Sequence, residues 1–147
     1  MAGLAWAIPV VTAAGVAVAT QAPINAALGR ALGGGLPAAA VSFGVGCLAL
    51  LALSLLTGQG RAFAALRDAP PWQLAGGFLG AFFVWASLWG VGRLGAVTVV
   101  AALILGQMAA ALLLDATGSL GLPVREIGGT RLLAVALVAA GVVLSRA

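Results

Sequence analysis

The feature that most constrains this chain is the absence of charge from its long apolar runs. No charged residue precedes Arg30, and the stretch from Leu4 to Thr20 is almost continuously apolar. Roughly twenty apolar residues in a helix cross the hydrocarbon core of a bilayer. Charged residues make up 7% of the 147 residues, whereas soluble domains carry about 25%. The chain is therefore expected to fold in a membrane and not in water.

Five segments are long and apolar enough, or nearly so, to cross the membrane as helices. Transmembrane strands would alternate polar and apolar residues, and these segments do not. We therefore predict an all-α integral membrane protein with a single multi-pass domain over residues 1–147. The predicted helices cover approximately residues 4–28, 37–57, 71–91, 96–114 and 131–146. The fifth is the shortest, and Thr130 is its predicted N-cap.

The basic residues are divided almost evenly between the two sides of the membrane. All seven are arginines. If every predicted helix spans, three arginines lie on one side and four on the other: Arg30, Arg93 and Arg146 against Arg61, Arg67, Arg125 and Arg131. Orientation follows the Lys and Arg bias of short loops, so this balance favours insertion both ways. The alternative is that one loop, or the insertion machinery, fixes a single orientation.

Two amides flank a proline near the end of the first predicted helix. Gln21 and Asn25 are four residues apart and therefore share one helix face. Pro23 leaves the carbonyl of Ala19 without its helical donor, which predicts a kink. In a bilayer such groups must be satisfied by protein or by water in a cavity. Two interpretations stay open: the amides bond to neighbouring helices, or they line a polar cavity.

The fourth predicted helix carries a second set of polar groups. Gln107 lies in mid-span, where an amide is costly unless it is paired or hydrated. Asp115 is the only carboxylate attached to a predicted spanning helix, so any proton coupling would use it; otherwise it is a solvated helix end. On the third helix, Trp85 could stack on a ligand or pack in the core. We predict a substrate cavity lined by Gln21, Asn25, Gln107 and Trp85.

Small residues at four-residue spacing predict where helices approach one another closely. They are Ala38, Ser42 and Gly46 in the second helix, Gly76 and Gly80 in the third, and Ala102, Gly106 and Ala110 in the fourth. The single cysteine, Cys47, is predicted to be a small buried hydrophobe.

Several function classes lack the residues they need. The chain has no histidine, the commonest acid–base group and metal ligand, and no phosphate-binding loop motif. We therefore predict no catalytic site, metal or cofactor. The arginines occur singly and form no basic stripe, which argues against a nucleic-acid partner.

Five sequence stretches together carry a family resemblance. In order, they are "PINAALGR", "AAAVSFGVGCLALL", "PPWQLAGGFLGAFFVWAS", "RLGAVTVVAALILGQMAAALLLDATGSLG" and "RLLAVALVAAGVVL". They resemble the YdcZ-type family of small bacterial membrane proteins, within the drug/metabolite transporter superfamily, over nearly the whole chain. The related small multidrug resistance transporters use a carboxylate in their first helix. This chain has none there, so their exchange mechanism does not carry over.

The resemblance implies a five-helix chain in the bacterial inner membrane that pairs with a second, oppositely oriented copy. Such an antiparallel homodimer has ten helices and an inverted repeat, a plan typical of secondary transporters. We therefore predict a transporter of an unidentified small molecule, an exporter or facilitator, working by alternating access while surrounded by lipid. A dual-topology channel and a non-transporting subunit of a larger complex are the alternatives.

Overall fold

The protein is built of α-helices joined by turns and short 3₁₀ segments. The computed structural model describes residues 2–146, with side chains from residue 6 onward. The part of the chain described contains no β-strand, as predicted. The helices are α1 (Ala2–Leu32), α2 (Gly35–Leu56), α3 (Ala75–Leu94), α4 (Ala96–Thr117) and α5 (Gly129–Leu144).

The first helix runs further than the sequence predicts. It continues through Pro9 and Pro23 without interruption and ends at Leu32, not at Leu28. Gly33 then adopts a φ of 74°, and the Gly34 N–H donates to the Gly29 carbonyl over 2.9 Å. This left-handed glycine followed by a bond back to the last turn is a Schellman motif. The motif places the helix end four residues later than the prediction.

Four helical segments are long and apolar enough to cross a membrane, namely Trp6–Leu32, Gly35–Leu56, Pro71–Leu94 and Ala96–Thr117. The fifth helix, α5, has 16 residues and is about 24 Å long, shorter than the roughly 30 Å hydrocarbon core. A fifth span therefore stays a prediction. The predicted N-cap of α5 at Thr130 is wrong. Gly128 is the N-cap, because its carbonyl accepts bonds from the N–H groups of Arg131 and Leu132.

The connection between α2 and α3 is more ordered than a simple loop. A 3₁₀ helix covers Gln59–Asp68 and a second covers Pro71–Leu74. The third helical span begins at Pro71, as predicted, but its first turn is 3₁₀ and the α-helix itself begins at Ala75. Pro71 suits the first position of the span, because the first N–H groups of a helix have no acceptor within it.

The chain divides into two compact units, Met1–Gly92 and Arg93–Ala147. In the N-terminal unit, α1 and α2 form a hairpin. A Cβ built on Gly29 would lie 3.7 Å from the Cβ of Ala38, so small residues let the two helices approach. The side chains of Val84 and Leu88 on α3 form a buried cluster with Ala39 of α2.

In the C-terminal unit, α4 and α5 form a second hairpin with polar contacts at both ends. At one end, the Thr98 hydroxyl donates to the Ser145 carbonyl over 3.0 Å. At the other, an Arg131 guanidinium nitrogen lies 2.8 Å from an Asp115 carboxylate oxygen. The Arg125 N–H also donates to the Asp115 carbonyl over 2.8 Å, which holds the connecting loop against the end of α4.

Candidate substrate cavity

A cavity of about 700 Å³ lies in the N-terminal unit, between residues of α1, α2, α3 and the 3₁₀ segment Gln59–Asp68. Its polar lining consists of one amide, two hydroxyls and one thiol: Gln21, Ser42, Ser54 and Cys47. Its apolar lining includes three phenylalanines, Phe43, Phe63 and Phe83. The volume falls within the 300–1,000 Å³ usual for small-molecule sites, which likewise combine apolar walls with a few polar groups.

The Gln21 amide is held only weakly. Its Nε2 donates to the Ser42 hydroxyl over 3.5 Å, beyond the usual N–H···O distance of about 2.7–3.2 Å. Gln21 therefore both bonds to the neighbouring helix and faces the cavity, which combines the two interpretations that the sequence left open. A bond of this length is easily exchanged for a better one.

The Asn25 residue is mostly buried, but its amide reaches open space. The residue is 5% exposed, and its amide makes no hydrogen bond to any other residue that the structure describes. Because no buried side-chain nitrogen or oxygen of the described residues lacks a partner, the amide atoms themselves keep some access to open space. It lines a small cavity of about 10 Å³ together with Ser87, whose hydroxyl donates to the Phe83 carbonyl over 2.6 Å. Gln21 and Phe83 line both cavities, so the two adjoin.

Trp85 lies on a different surface of α3. It lines a separate cavity of about 360 Å³ with apolar walls that include Leu36 and Phe82. Its ring centroid is 6.0 Å from that of Phe82 and 6.3 Å from that of Trp89. Trp85 also packs against the buried cluster of Ala39, Val84 and Leu88. Its surroundings are therefore those of a packing residue.

The predicted site residues of α4 belong to the C-terminal unit. Gln107 is exposed and makes no hydrogen bond within the described part of the chain. Asp115 is about one-third exposed and is paired with Arg131, so it is not simply a solvated helix end. The structure groups Gln21 with Asn25, whereas Gln107 and Trp85 each have other surroundings.

The predicted packing residues fall into two groups. Ala38 is buried, Ser42 is half-buried, and a Cβ on Gly80 would lie 3.2 Å from Phe43 Cζ. The others are exposed: Gly46, Gly76, Ala102, Gly106 and Ala110.

The sequence mispredicted the burial of Cys47, and it missed the face of α2 that lines the cavity. Burial of Cys47 was wrong, since Cys47 is exposed and lines the large cavity. The reason is that its face of α2 turns toward open space. Phe43, Cys47, Leu50 and Ser54 share that face at steps of three or four residues, and this spacing was the available signal.

Comparisons with known proteins agree with this architecture. The family model described as "Putative inner membrane exporter, YdcZ" matches residues 6–144. Inner membrane protein YdcZ of Escherichia coli (strain K12) is 43% identical over 58 residues, which are 40% of this chain and 39% of that protein. The aligned part thus spans well under half of that relative. No solved structure matches. A helical multi-pass protein of the bacterial inner membrane, this chain belongs to the YdcZ family.

Proposed function

We propose that this chain is a secondary transporter that exports a small molecule, with its substrate site at the cavity around Gln21 and Asn25. The observation that carries the proposal is the Asn25 amide, 5% exposed and without a hydrogen bond among the described residues, beside a cavity of about 700 Å³. The family match to an inner membrane exporter supports the same conclusion.

The Asn25 amide has no protein partner among the described residues, yet its atoms are not closed off from open space. Within a membrane, an amide without a protein partner must be satisfied by water or by a ligand in a cavity. The Asn25 amide is therefore available to a substrate. Polar groups inside the membrane commonly mark substrate pathways for this reason.

The transporter is proposed to work as an antiparallel homodimer. The support is Gln107, exposed and without a bond in its own unit. In α4, Ala96–Thr117, the midpoint falls between Gly106 and Gln107. When two copies of one helix cross antiparallel at their centres, only mid-length residues lie opposite themselves. An amide carries both donors and an acceptor, so two Gln107 side chains can bond to each other.

Two such copies in opposite orientations supply an inverted repeat. In secondary transporters this arrangement puts the substrate site near the bilayer midplane and allows rocking between two access states. The near-even division of arginines, three against four, is consistent with insertion in both orientations.

The transport proposal is tested by export from living cells. Bacteria expressing the wild type and the Asn25→Ala variant, at matched membrane abundance, are screened against a library of growth-inhibiting small molecules. We expect at least one compound to be tolerated at higher concentration with the wild type only. That compound should then show saturable counterflow in proteoliposomes. Conductance without counterflow would indicate a channel, and no difference for any compound would contradict the proposal.

The dimer is tested by disulfide crosslinking in a Cys47→Ser background. Gln107→Cys should crosslink between copies, whereas Ala109→Cys, at nearly the same depth on the opposite side of α4, should not. Leu103→Cys mixed with Ala110→Cys should crosslink only in an antiparallel pair, because these positions are symmetric about the helix midpoint. Leu103→Cys crosslinking to itself would indicate a parallel pair instead.

A further inference from the structure

The lining of the large cavity and its smaller neighbour contains no carboxylate, guanidinium or ammonium group. Its polar atoms belong to amides, hydroxyls and one thiol. The nearest charged residues along α1 and α3 are Arg30 and Arg93, each in the last turn of its helix. From Gln21 to Arg30 the helix rises about 13 Å, so this arginine side chain starts far from the Gln21 amide along the helix axis.

The other charged residues of the N-terminal unit belong to the 3₁₀ segment Gln59–Asp68, which contributes Phe63 to the cavity. They are Arg61, Arg67 and Asp68, and none of them is among the lining residues. An ion that enters a low-dielectric site without an opposite charge loses hydration that nothing replaces. The cavity therefore disfavours both cationic and anionic ligands.

The cavity provides aromatic surface for contact with a flat apolar ligand, together with amide groups that both donate and accept hydrogen bonds. Phe43, Phe63 and Phe83 present aromatic surface, which favours offset or edge-to-face contact with another ring. The amides of Gln21 and Asn25 each have donors and an acceptor. Gln21 uses one donor in a 3.5 Å bond, and Asn25 uses none with the described residues.

We infer that this cavity binds an uncharged amphipathic molecule: a flat apolar or aromatic body with a group, such as an amide, that both donates and accepts hydrogen bonds. The inference rests on the proposed function for its biological meaning, since it names the substrate class of the same site. The amide group of the ligand pairs with Gln21 and Asn25, and the flat body lies among the phenylalanines.

Cys47 provides the reporter, because it lines the cavity and is the only cysteine of the chain. The rate at which a maleimide labels Cys47 is measured on the purified full-length protein in lipid nanodiscs. The probes are 2-naphthamide, 2-naphthamidinium and 2-naphthoate, which have nearly the same shape and are neutral, cationic and anionic. At twice its Kd, a ligand that covers the thiol should slow labelling about threefold by mass action.

We expect 2-naphthamide to slow the labelling and the two ions to leave it nearly unchanged. The matched control is Cys47→Ser with Ala49→Cys, two residues along α2 and also exposed. Its labelling should not respond to any probe, which separates cavity binding from partition into lipid. Protection by either ion equal to that by 2-naphthamide would overturn the inference, as would the absence of protection by all three.

A charge swap tests the role of Gln21 with a gain of binding. Gln21→Glu keeps the side-chain shape and adds a carboxylate, so 2-naphthamidinium should become the best protector of Cys47. An unchanged preference for 2-naphthamide would show that Gln21 does not face the ligand, and would overturn the assignment. Transport is not needed for this assay. Counterflow of a cation would support the transporter proposal but contradict an uncharged substrate. Protection of Cys47 by 2-naphthamide without counterflow of any compound would support the uncharged ligand but contradict transport.

Discussion

The two helical hairpins place their polar contacts at different depths. The α4–α5 hairpin is tied at its ends, by Thr98 with Ser145 and by Asp115 with Arg131. The α1–α2 hairpin has its polar contact inside, where Gln21 and Ser42 meet over 3.5 Å. Gln21 lies about three helical turns from the end of α1, and Ser42 about two turns from the start of α2.

The two depths indicate two roles. Polar groups at the ends of a hairpin hold it together, whereas polar groups inside it are available to bind a ligand. At a helix end, water and headgroups can satisfy whatever the protein leaves unpaired, so end contacts are inexpensive. Deep in the bilayer each unpaired group has a cost. The α1–α2 hairpin nevertheless has a weak bond and an Asn25 amide without a protein partner at that depth. This is typical of a binding site and not of a contact that stabilises the hairpin.

The largest expected effect comes from removing the packing that fixes α3 against this hairpin. Leu88 is buried in the cluster with Ala39 and Val84, and its Cδ1 lies 2.6 Å from where a Cβ on Gly35 would be. Leu88→Ala should lower the unfolding free energy by about 2 kcal/mol, the lower end for such core truncations, because lipid contributes no hydrophobic term between helices.

The matched control for this packing test is Leu79→Ala, in the same helix but 71% exposed. It should leave stability nearly unchanged. Both are measured by unfolding in mixed micelles with increasing denaturing detergent. Equal losses for the two variants would mean that α3 does not pack on the hairpin through Leu88.

The second prediction tests whether Asn25 binds the ligand or stabilises the protein. Asn25→Ala removes an amide without a hydrogen bond, so the protein should lose protection of Cys47 by 2-naphthamide while its stability stays equal or rises by up to about 1 kcal/mol. Ser87→Ala is the control in the same small cavity, since that hydroxyl bonds within its own helix. If Asn25→Ala destabilises the protein and leaves protection intact, the amide is structural.

The sequence predicted the helices well because the bilayer sets their length and composition. It missed the ends where short-range geometry decides. The Gly33–Gly34 turn lengthens α1, and Gly128 rather than Thr130 starts α5.

The candidate site was less accessible from the sequence. Gln21 and Asn25 are conspicuous in an apolar helix, and their common face follows from their spacing. The roles of Phe83 and Ser87 depend on the rotation of α3 about its axis. A helix that is apolar on nearly every side does not encode that rotation. Trp85 was assigned to the cavity for the same reason, and its neighbours are instead Phe82 and Trp89.

The third prediction concerns the end of the α4–α5 hairpin. The Asp115 and Arg131 side chains are 30% and 39% exposed, so a double-mutant cycle with Asp115→Asn and Arg131→Gln should give a coupling of about 0.2–1 kcal/mol. The coupling should shrink as salt is raised. Asp115 would also carry any proton coupling. If uphill, pH-driven accumulation survives Asp115→Asn, Asp115 does not carry the proton coupling. Its ion pair with Arg131 then only stabilises the hairpin.

The smallest effect on stability is expected from the bond between Gln21 and Ser42 inside the α1–α2 hairpin. Removing this bond should lower the stability slightly and strengthen ligand binding. Ser42→Ala removes the acceptor of the 3.5 Å bond, which should cost no more than about 0.6 kcal/mol, the average for bonds between membrane helices. It also releases the Gln21 amide toward the cavity, so 2-naphthamide should protect Cys47 at lower concentration. Ser54→Ala is the control, because Ser54 lines the same cavity but bonds to the Leu50 carbonyl of its own helix. Weaker protection in Ser42→Ala than in Ser54→Ala would mean that the Ser42 bond holds Gln21 in its binding position instead of competing with the ligand.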